Sequence, residues 1–203
     1  MKDIRFVNIG KIIKSDSHIN YKCRVYGNRE SNEEVGEKDY KFGQFVKMKL
    51  SNNYTIIGVI YNSQLYNPDY GNFGPRLSNP ASDNTIFMPD YIEETAVILD
   101  ILLVGWLEDN KTNQNIPPWV VPLNTEVTTI LYNELINFHK NDNGGPLLAY
   151  YNQILMNTGS ISYNLLFCII NQLELLVDKQ YLNKLELLKQ HLVWQQTTLA
   201  TKV

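Results

Sequence analysis

The sequence predicts an α+β protein in which a small antiparallel β-barrel is followed by an all-helical region. Residues 42–65 contain two apolar strand patterns, and within them residues 45–50 alternate apolar and basic side chains, as a strand with one buried face should. Three prolines in residues 117–122 then favour an extended boundary. Apolar residues recur at helical spacing after that boundary. We therefore expect a barrel domain at 1–122 and a helical extension, packed on the barrel, at 123–203.

Five segments of the first half have strand length, β-branched or aromatic content and turn residues at their borders. They are residues 4–13, 19–26, 42–50, 54–64 and 96–108. Gly43 and Gly58 are expected at tight corners or close backbone approaches, which a side chain would obstruct. Asp100 interrupts the fifth, apolar segment. It either faces outward at a sheet edge or forms a buried ion pair with a basic strand residue.

The helical region is predicted to begin at Asn124 or Thr125 and to run through His139, because its apolar positions recur every three or four residues. A short helix at about 147–156 follows. The last region, 161–197, carries a long apolar stripe that Asp178 divides into two helices. That stripe requires a partner, which is either the preceding helix or the barrel wall, or a second molecule in a coiled coil. Trp106 and Trp194 are expected in the core.

The composition indicates an ordered protein without bulk attraction for nucleic acid. The 203 residues are sufficient for one large or two small domains, and the net charge is −3. Residues 1–50 hold eleven of the eighteen Lys and Arg against seven acids, whereas residues 51–160 hold three bases against eleven acids. This polarity can steer an acidic partner, or the two regions can neutralise each other within one fold.

The cysteine content and the hydropathy pattern predict a soluble protein in a reducing compartment. Cys23 and Cys168 are far apart in sequence, and a zinc site needs clustered Cys or His, so two buried free thiols are expected. The chain shows no charged-then-apolar leader and no apolar run long enough to cross a bilayer.

No catalytic, cofactor or metal motif appears, so we expect neither enzymatic activity nor a cofactor. The three histidines, His18, His139 and His191, lie in different predicted elements without a nucleophile or acid at motif spacing. An acidic cluster precedes the fifth strand at Asp90, Glu93 and Glu94. Such carboxylates can bind metal or act in acid–base catalysis, but a solvated loop or salt-bridge role is the simpler interpretation.

The order of strands, glycines and prolines resembles the HAS barrel, the small β-barrel shared by HerA-type helicases and subunits of the ATP synthase catalytic ring. The resemblance covers roughly residues 1–125. The residues on which the resemblance rests are Gly43, Phe45, Val46, Ile57, Gly58, Val59 and residues 96–107 and 117–123. Glycines with alternating apolar residues also describe PRC barrels and OB-folds.

The resemblance implies a docking role, since the barrel of those relatives is a platform for partner proteins or ties subunits into a ring. The relatives continue into a P-loop ATPase core, whereas this chain has no G-x-x-x-x-G-K-[ST] sequence. It is therefore similar to standalone HAS-barrel proteins of cyanobacterial and plastid type. That similarity implies plastid stroma or cyanobacterial cytoplasm as its location, and photosynthetic or other machinery there as its setting.

We accordingly expect a non-enzymatic protein-binding or assembly module that docks on a larger complex. Residues 66–91 contain four prolines and two glycines, which exclude regular structure and leave a long loop that is either functional or packed on a neighbour. Aromatic residues give large contact area at small entropic cost. The expected contact residues are Tyr66, Tyr70, Phe73, Arg76, Tyr91 and Trp119. Alternatively, these aromatic residues only cover one end of the barrel.

Binding of single-stranded RNA or DNA is the competing hypothesis, with a role in processing or translation. Small barrels present aromatic faces and basic rims to single strands. The basic residues that alternate with aromatic ones in the first strands are Arg5, Lys22, Arg24, Lys47 and Lys49. The same alternation occurs in most β-proteins, and the overall acidity of the chain weighs against this hypothesis.

Overall fold

A closed six-stranded antiparallel β-barrel followed by helices forms this protein, which confirms the predicted α+β class. The computed structural model describes residues 6–27, 30, 35–50, 54–66, 96–109, 111–141 and 144–200. The strands are β1 (Asn8–Ser15), β2 (Asn20–Val25), β3 (Phe45–Lys49), β4 (Tyr54–Tyr66), β5 (Ala96–Glu108), β6 (Lys111–Asn113) and β7 (Glu126–Thr129). The helices are α1 (Tyr132–Phe138), α2 (Tyr151–Asn157), α3 (Ser162–Glu174) and α4 (Leu182–Ala200).

The barrel closes through three pairings between strands that are not consecutive in sequence, β1 with β7, β7 with β3 and β2 with β5. The strand order is β2-β1-β7-β3-β4-β5, and β5 pairs again with β2. Strand β6 continues the ladder at the far end of β5. Each of the five predicted strand segments overlaps one of the strands β1 to β5, and the fifth has the predicted bounds.

The expected helix start at Asn124 or Thr125 is wrong, because residues 126–129 form β7 between β1 and β3. Asn124 has a φ of +63° and turns the chain before that strand. Val127 and Thr129 are buried whereas Glu126 is exposed, which is a period of two, and β-branched residues favour an extended backbone. The barrel therefore continues beyond residue 122, and the first helix begins at Tyr132.

The C-terminal helices pack their apolar stripe within the same chain. Leu166, Ile170 and Leu173 of α3 and Leu185 and Leu192 of α4 are buried in one core cluster with the barrel residues. The predicted division near Asp178 is confirmed, since α3 ends at Glu174 and a single 3₁₀ turn at Lys179–Tyr181 precedes α4. Trp106 packs against the core, but the expectation for Trp194 is wrong. Its side chain is 64% exposed on α4, where it stacks on His191.

An aromatic cluster joins the barrel to the helices. The ring of Phe45 on β3 contacts those of Phe138, His139 and Tyr150 at centroid distances of 6.5, 4.9 and 6.2 Å. The Nδ1–H of His139 donates to the carbonyl oxygen of Leu135 at 2.9 Å, and its Nε2 accepts from the hydroxyl of Tyr150 at 2.7 Å. Burial lowers the pKa of His139 to about 4, so the imidazole is neutral near pH 7.

The two glycines singled out in the sequence occupy positions that exclude a side chain. Gly43 has a φ of +76°, and a Cβ there would lie 2.6 Å from the Sγ of Cys168 on α3. A Cβ on Gly58 would lie 2.5 Å from the Cγ2 of Ile101 on the neighbouring strand. Gly43 therefore shapes the turn under α3, and Gly58 permits β4 and β5 to approach inside the barrel.

We predict that Gly58→Ala lowers the free energy of unfolding by about 1–3 kcal/mol, because the added methyl group overpacks the barrel interior. Urea unfolding followed by circular dichroism measures this loss. Gly36→Ala is the matched control, since its Cβ would meet nothing closer than the Oδ2 of Asp39 at 3.5 Å. Equal losses in the two variants would contradict the packing argument.

A second prediction concerns acid stability. The folded pKa of His139 is about 4 and its unfolded value is about 6.5, so the unfolded state binds more protons between these values and stability falls as the pH drops through this window. The shift corresponds to about 3 kcal/mol. Urea unfolding between pH 7 and 4 measures it, and His139→Gln should flatten the slope. An unchanged slope in that variant would assign the acid sensitivity to other groups.

Candidate functional site

Of the six predicted contact residues, the structure describes Tyr66 and Trp119. Tyr66, at the end of β4, is 56% exposed. Trp119 is half-buried between the rings of Tyr54 and Trp106, at centroid distances of 4.2 and 5.8 Å. The remaining predicted positions, Tyr70, Phe73, Arg76 and Tyr91, lie outside the described residues, as do Asp90, Glu93 and Glu94.

Residues 62–66 of β4, which we call the open edge, pair on one side only. They pair with residues 96–100 of β5. On the other side, β3 pairs with β4 only as far as Val59. Beyond it, the Gly43 N–H donates to the Ile60 carbonyl oxygen, and the Ile60 N–H donates to the Gln44 carbonyl oxygen. Within the described parts of the chain, no strand continues that ladder along the open edge. Backbone N–H and C=O groups that no described strand pairs with can hydrogen-bond to another extended chain.

The side chains of the open edge are exposed and uncharged. The segment reads Asn-Ser-Gln-Leu-Tyr, and all five residues are exposed. Leu65 is 88% exposed. Natural edge strands are usually protected by charged residues, prolines or bulges that discourage pairing. Here the edge carries no charged residue and no proline, and its end presents two large apolar side chains.

A pocket of about 240 Å³ lies beside the open edge, and we call it the edge pocket. Its walls are mainly aromatic and aliphatic side chains with two polar strand residues. They are Tyr40, Phe42, Ile60, Tyr61, Asn62, Ser63 and Ile161. Phe42 is 41% exposed at the rim. The pocket can receive one apolar side chain from a chain that runs along the edge.

A buried carboxylate fixes the orientation of the edge residues. Asp100 is 5% exposed, and its Oδ1 accepts a hydrogen bond from Lys22 Nζ at 2.5 Å. Its Oδ2 accepts hydrogen bonds from Asn62 Nδ2 at 2.8 Å and Gln64 Nε2 at 3.0 Å. Because Asn62 and Gln64 therefore share one face of β4, Ser63 and Leu65 lie on the other.

Of the two interpretations of Asp100, the buried ion pair is confirmed and the exposed sheet-edge position is wrong. Strand β5 is central at this point, since Asp100 pairs with Lys22 on one side and with Asn62 on the other. The hydrogen bond to Asp100 raises the pKa of Lys22, against the opposing effect of burial. Lys22 also approaches Asp16 at 3.4 Å.

Most of the basic residues proposed for nucleic-acid contact are engaged with carboxylates. Besides the pair of Lys22 with Asp100, Arg24 Nη1 contacts both carboxylate oxygens of Glu30 at 2.8 and 2.9 Å. Lys47 Nζ contacts both carboxylate oxygens of Glu134 at 2.6 and 2.7 Å. Lys49 is exposed, and Arg5 lies outside the described residues.

Two of the aromatic residues that alternate with those bases, Tyr21 and Phe45, are unavailable for stacking on a nucleic acid. Tyr21 and Phe45 are buried at 2% and 1% exposure, so their rings belong to the core. A groove of about 750 Å³ near Lys47 and Lys49 is also lined by Glu126 and Glu134. Its charge is therefore balanced rather than positive, which is unfavourable for a polyanion.

The remaining candidate groups are dispersed. His18 contacts the carbonyl oxygen of Pro117 at 2.8 Å, His139 is buried, and His191 lies on α4. Both cysteines are free; Cys23 is buried, which raises its pKa to about 12, whereas Cys168 is only partly buried. In the ranges that the structure describes, no group of three His, Cys, Asp or Glu could hold a metal ion. No helix there has the length and apolarity required to span a bilayer.

Sequence reasoning missed the edge pocket. Tyr40 and Phe42 precede β3 in a polar segment, and Ile161 is about 120 positions later in the chain. Only the folded barrel brings them together beside β4. The one available signal was the absence of charge in residues 61–66, which is unusual for an exposed strand end.

A family model described as Domain of unknown function (DUF8166) matches residues 2–203. No curated protein matches the chain.

We predict that Asp100→Asn lowers the free energy of unfolding by about 2–3 kcal/mol, since it removes the charge that Lys22 pairs with in a buried setting. Chemical unfolding at pH 7 measures the loss. Glu30→Gln is the control, because it neutralises the more exposed pair with Arg24 and should cost less than about 1 kcal/mol. Equal effects would show that burial does not strengthen the Asp100 pair.

Proposed function

We propose that this chain, which belongs to the DUF8166 family, is a protein-binding and assembly module without enzymatic activity that docks on a larger complex. The observation that carries this proposal is the open edge of β4, which no described strand pairs with on its outer side and which lies beside the edge pocket.

An extended segment of a partner protein can add to such an edge as a further strand. Main-chain hydrogen bonds supply affinity in this binding mode, and pockets for alternate side chains supply specificity. The open edge offers backbone groups for the hydrogen bonds, and the edge pocket offers a place for one side chain of the partner. Leu65 and Tyr66 add exposed apolar area at the end of the strand, and Tyr is favoured at interfaces because it loses little entropy there.

The setting of this docking function follows from the HAS-barrel resemblance. Barrels of that kind serve as platforms for partner proteins. We therefore place the complex in the plastid or cyanobacterial machinery to which that resemblance points. The closed barrel supports this proposal through its architecture. The nucleic-acid hypothesis has weaker support, because Lys22, Arg24 and Lys47 are paired with carboxylates.

We predict that Leu65→Lys combined with Tyr66→Lys abolishes capture of the partner complex. Two lysines at the end of the open edge add charge where a strand would pair, and they remove the exposed apolar contact. Tagged wild-type and variant chains are used to capture proteins from an extract of the source organism, and stoichiometric partners are identified by mass spectrometry.

Leu175→Lys is the control for this capture experiment. Leu175 follows α3 and is 81% exposed, so the change adds similar charge at a different surface. The control should retain every partner of the wild-type chain. Partners that bind the double variant as well as the wild type would place the docking surface elsewhere.

A further inference from the structure

We propose that the groove between β3 and β7 is a second docking surface, which binds an extended segment of a partner protein that carries an acidic and a basic side chain two positions apart. This is the groove of about 750 Å³ that Lys47 and Lys49 line. Thr55 of β4 also lines it, and the open edge begins about 20 Å further along that strand. The two surfaces are therefore separate. The inference rests on the proposed function in taking the ligand to be a protein.

The groove lies where the described pairing of β3 with β7 ends. The ladder between these strands consists of Val46 with Thr129 and Lys47 with Thr128. Continued in the same register, it would place Lys49 directly opposite Glu126. Both of these residues line the groove. The two strands thus present opposite charges on its two sides.

Lys49 and Glu126 are the charges of the groove that a ligand can engage. The other two, Lys47 and Glu134, are joined by hydrogen bonds of 2.6 and 2.7 Å, and Glu134 also accepts from the backbone N–H of Leu131 at 2.9 Å. Lys49 and Glu126 are exposed, and in the described ranges neither forms an ion pair. Oppositely charged ligand groups can therefore bind them without displacing an existing pair.

The lining of the groove favours a protein segment over other ligands. Small-molecule sites are lined predominantly by apolar side chains, whereas Phe6 and Leu50 are the apolar members of this mostly polar lining. The carboxylates of Glu126 and Glu134 oppose a nucleic-acid backbone. Protein interfaces combine aromatic contacts with polar and charged groups around them. Phe6 offers such a contact, since it is 53% exposed and its ring centroid lies 5.7 Å from Lys47 Nζ.

Strand geometry sets the spacing of the two charges on the ligand. Directly opposed residues of an antiparallel pair have Cα atoms about 4.5–5.5 Å apart. Lys49 and Glu126 lie beyond the end of their ladder, so a ligand must span at least this distance. Side chains two positions apart in an extended peptide share one face and are about 6.6 Å apart. A Glu-x-Lys or Lys-x-Glu segment therefore matches the two charges.

Peptides of defined charge test the inference. Three capped, fluorescently labelled peptides have the same sequence except at two positions separated by one residue, which carry Glu with Lys, Glu with Glu, or Lys with Lys. Fluorescence anisotropy at low salt measures their affinity for the purified full chain. The wild type should bind the Glu–Lys peptide about fivefold more tightly than either like-charged peptide, the order of magnitude expected for one exposed ion pair.

Charge reversal in the groove should change this preference in a defined direction. Glu126→Lys leaves two unpaired cations there, so the Glu–Glu peptide should become the tightest ligand. Lys49→Glu leaves two anions, so the Lys–Lys peptide should become the tightest. Glu186→Lys and Lys179→Glu are the matched controls, because they change the net charge equally at exposed positions of the C-terminal region. Both controls should keep the wild-type preference.

Circular dichroism verifies that each variant is folded. A wild-type chain that binds the three peptides equally would overturn the inference. So would groove variants that keep the wild-type preference, or control variants that shift it as far as the groove variants do.

The peptide and capture experiments separate this inference from the proposed function. If the groove variants leave peptide preference unchanged while the Leu65 and Tyr66 double variant loses its partner complex, docking at the open edge stands and the groove inference is wrong. If the peptides follow the charges of the groove but the chain captures no complex, the groove inference stands and the proposed docking on a larger complex fails.

Discussion

Barrel closure depends on β5, which must pair with β4 on one side and with β2 on the other. Both ladders require a long strand, and β5 and its partner β4 each have thirteen residues. Strand β3 has only five residues, and its ladder covers β4 from Thr55 to Val59. Among the described residues, the excess length of β4 therefore has no partner strand on its β3 side. The open edge is thus a consequence of closing a barrel from strands of unequal length.

Hydrogen bonds to Asp100 hold the side chains of Asn62 and Gln64, in the part of β4 that extends beyond β3, in fixed positions. A carboxylate in the middle of an apolar strand would be costly without partners. Lys22, Asn62 and Gln64 supply three hydrogen bonds, and two of these donors belong to the open edge. The amide side chains are held on one face, so Leu65 is directed to the opposite face. The residue that interrupts the apolar pattern of β5 thus also decides how the edge of β4 is presented.

The sequence predicted the elements whose signals are local. Strands β1 to β5 follow from alternation and β-branched content, and the roles of Gly43 and Gly58 follow from the absence of a side chain. Strand β7 was missed because its four residues follow a proline-rich segment and precede a helical pattern, and their pairing with β1 and β3 is set by tertiary structure. The choice between the two interpretations of Asp100 likewise depended on which strand lies beside β5. The edge pocket could not be predicted, because Tyr40, Ser63 and Ile161 approach one another only after the barrel closes.

An unprotected strand edge is normally an aggregation hazard, and the geometry of this one limits that hazard. The open edge is five residues long, and the other side of β4 is already paired with β5. Docking of a partner protein at this edge, as proposed above, would cover it and remove the hazard.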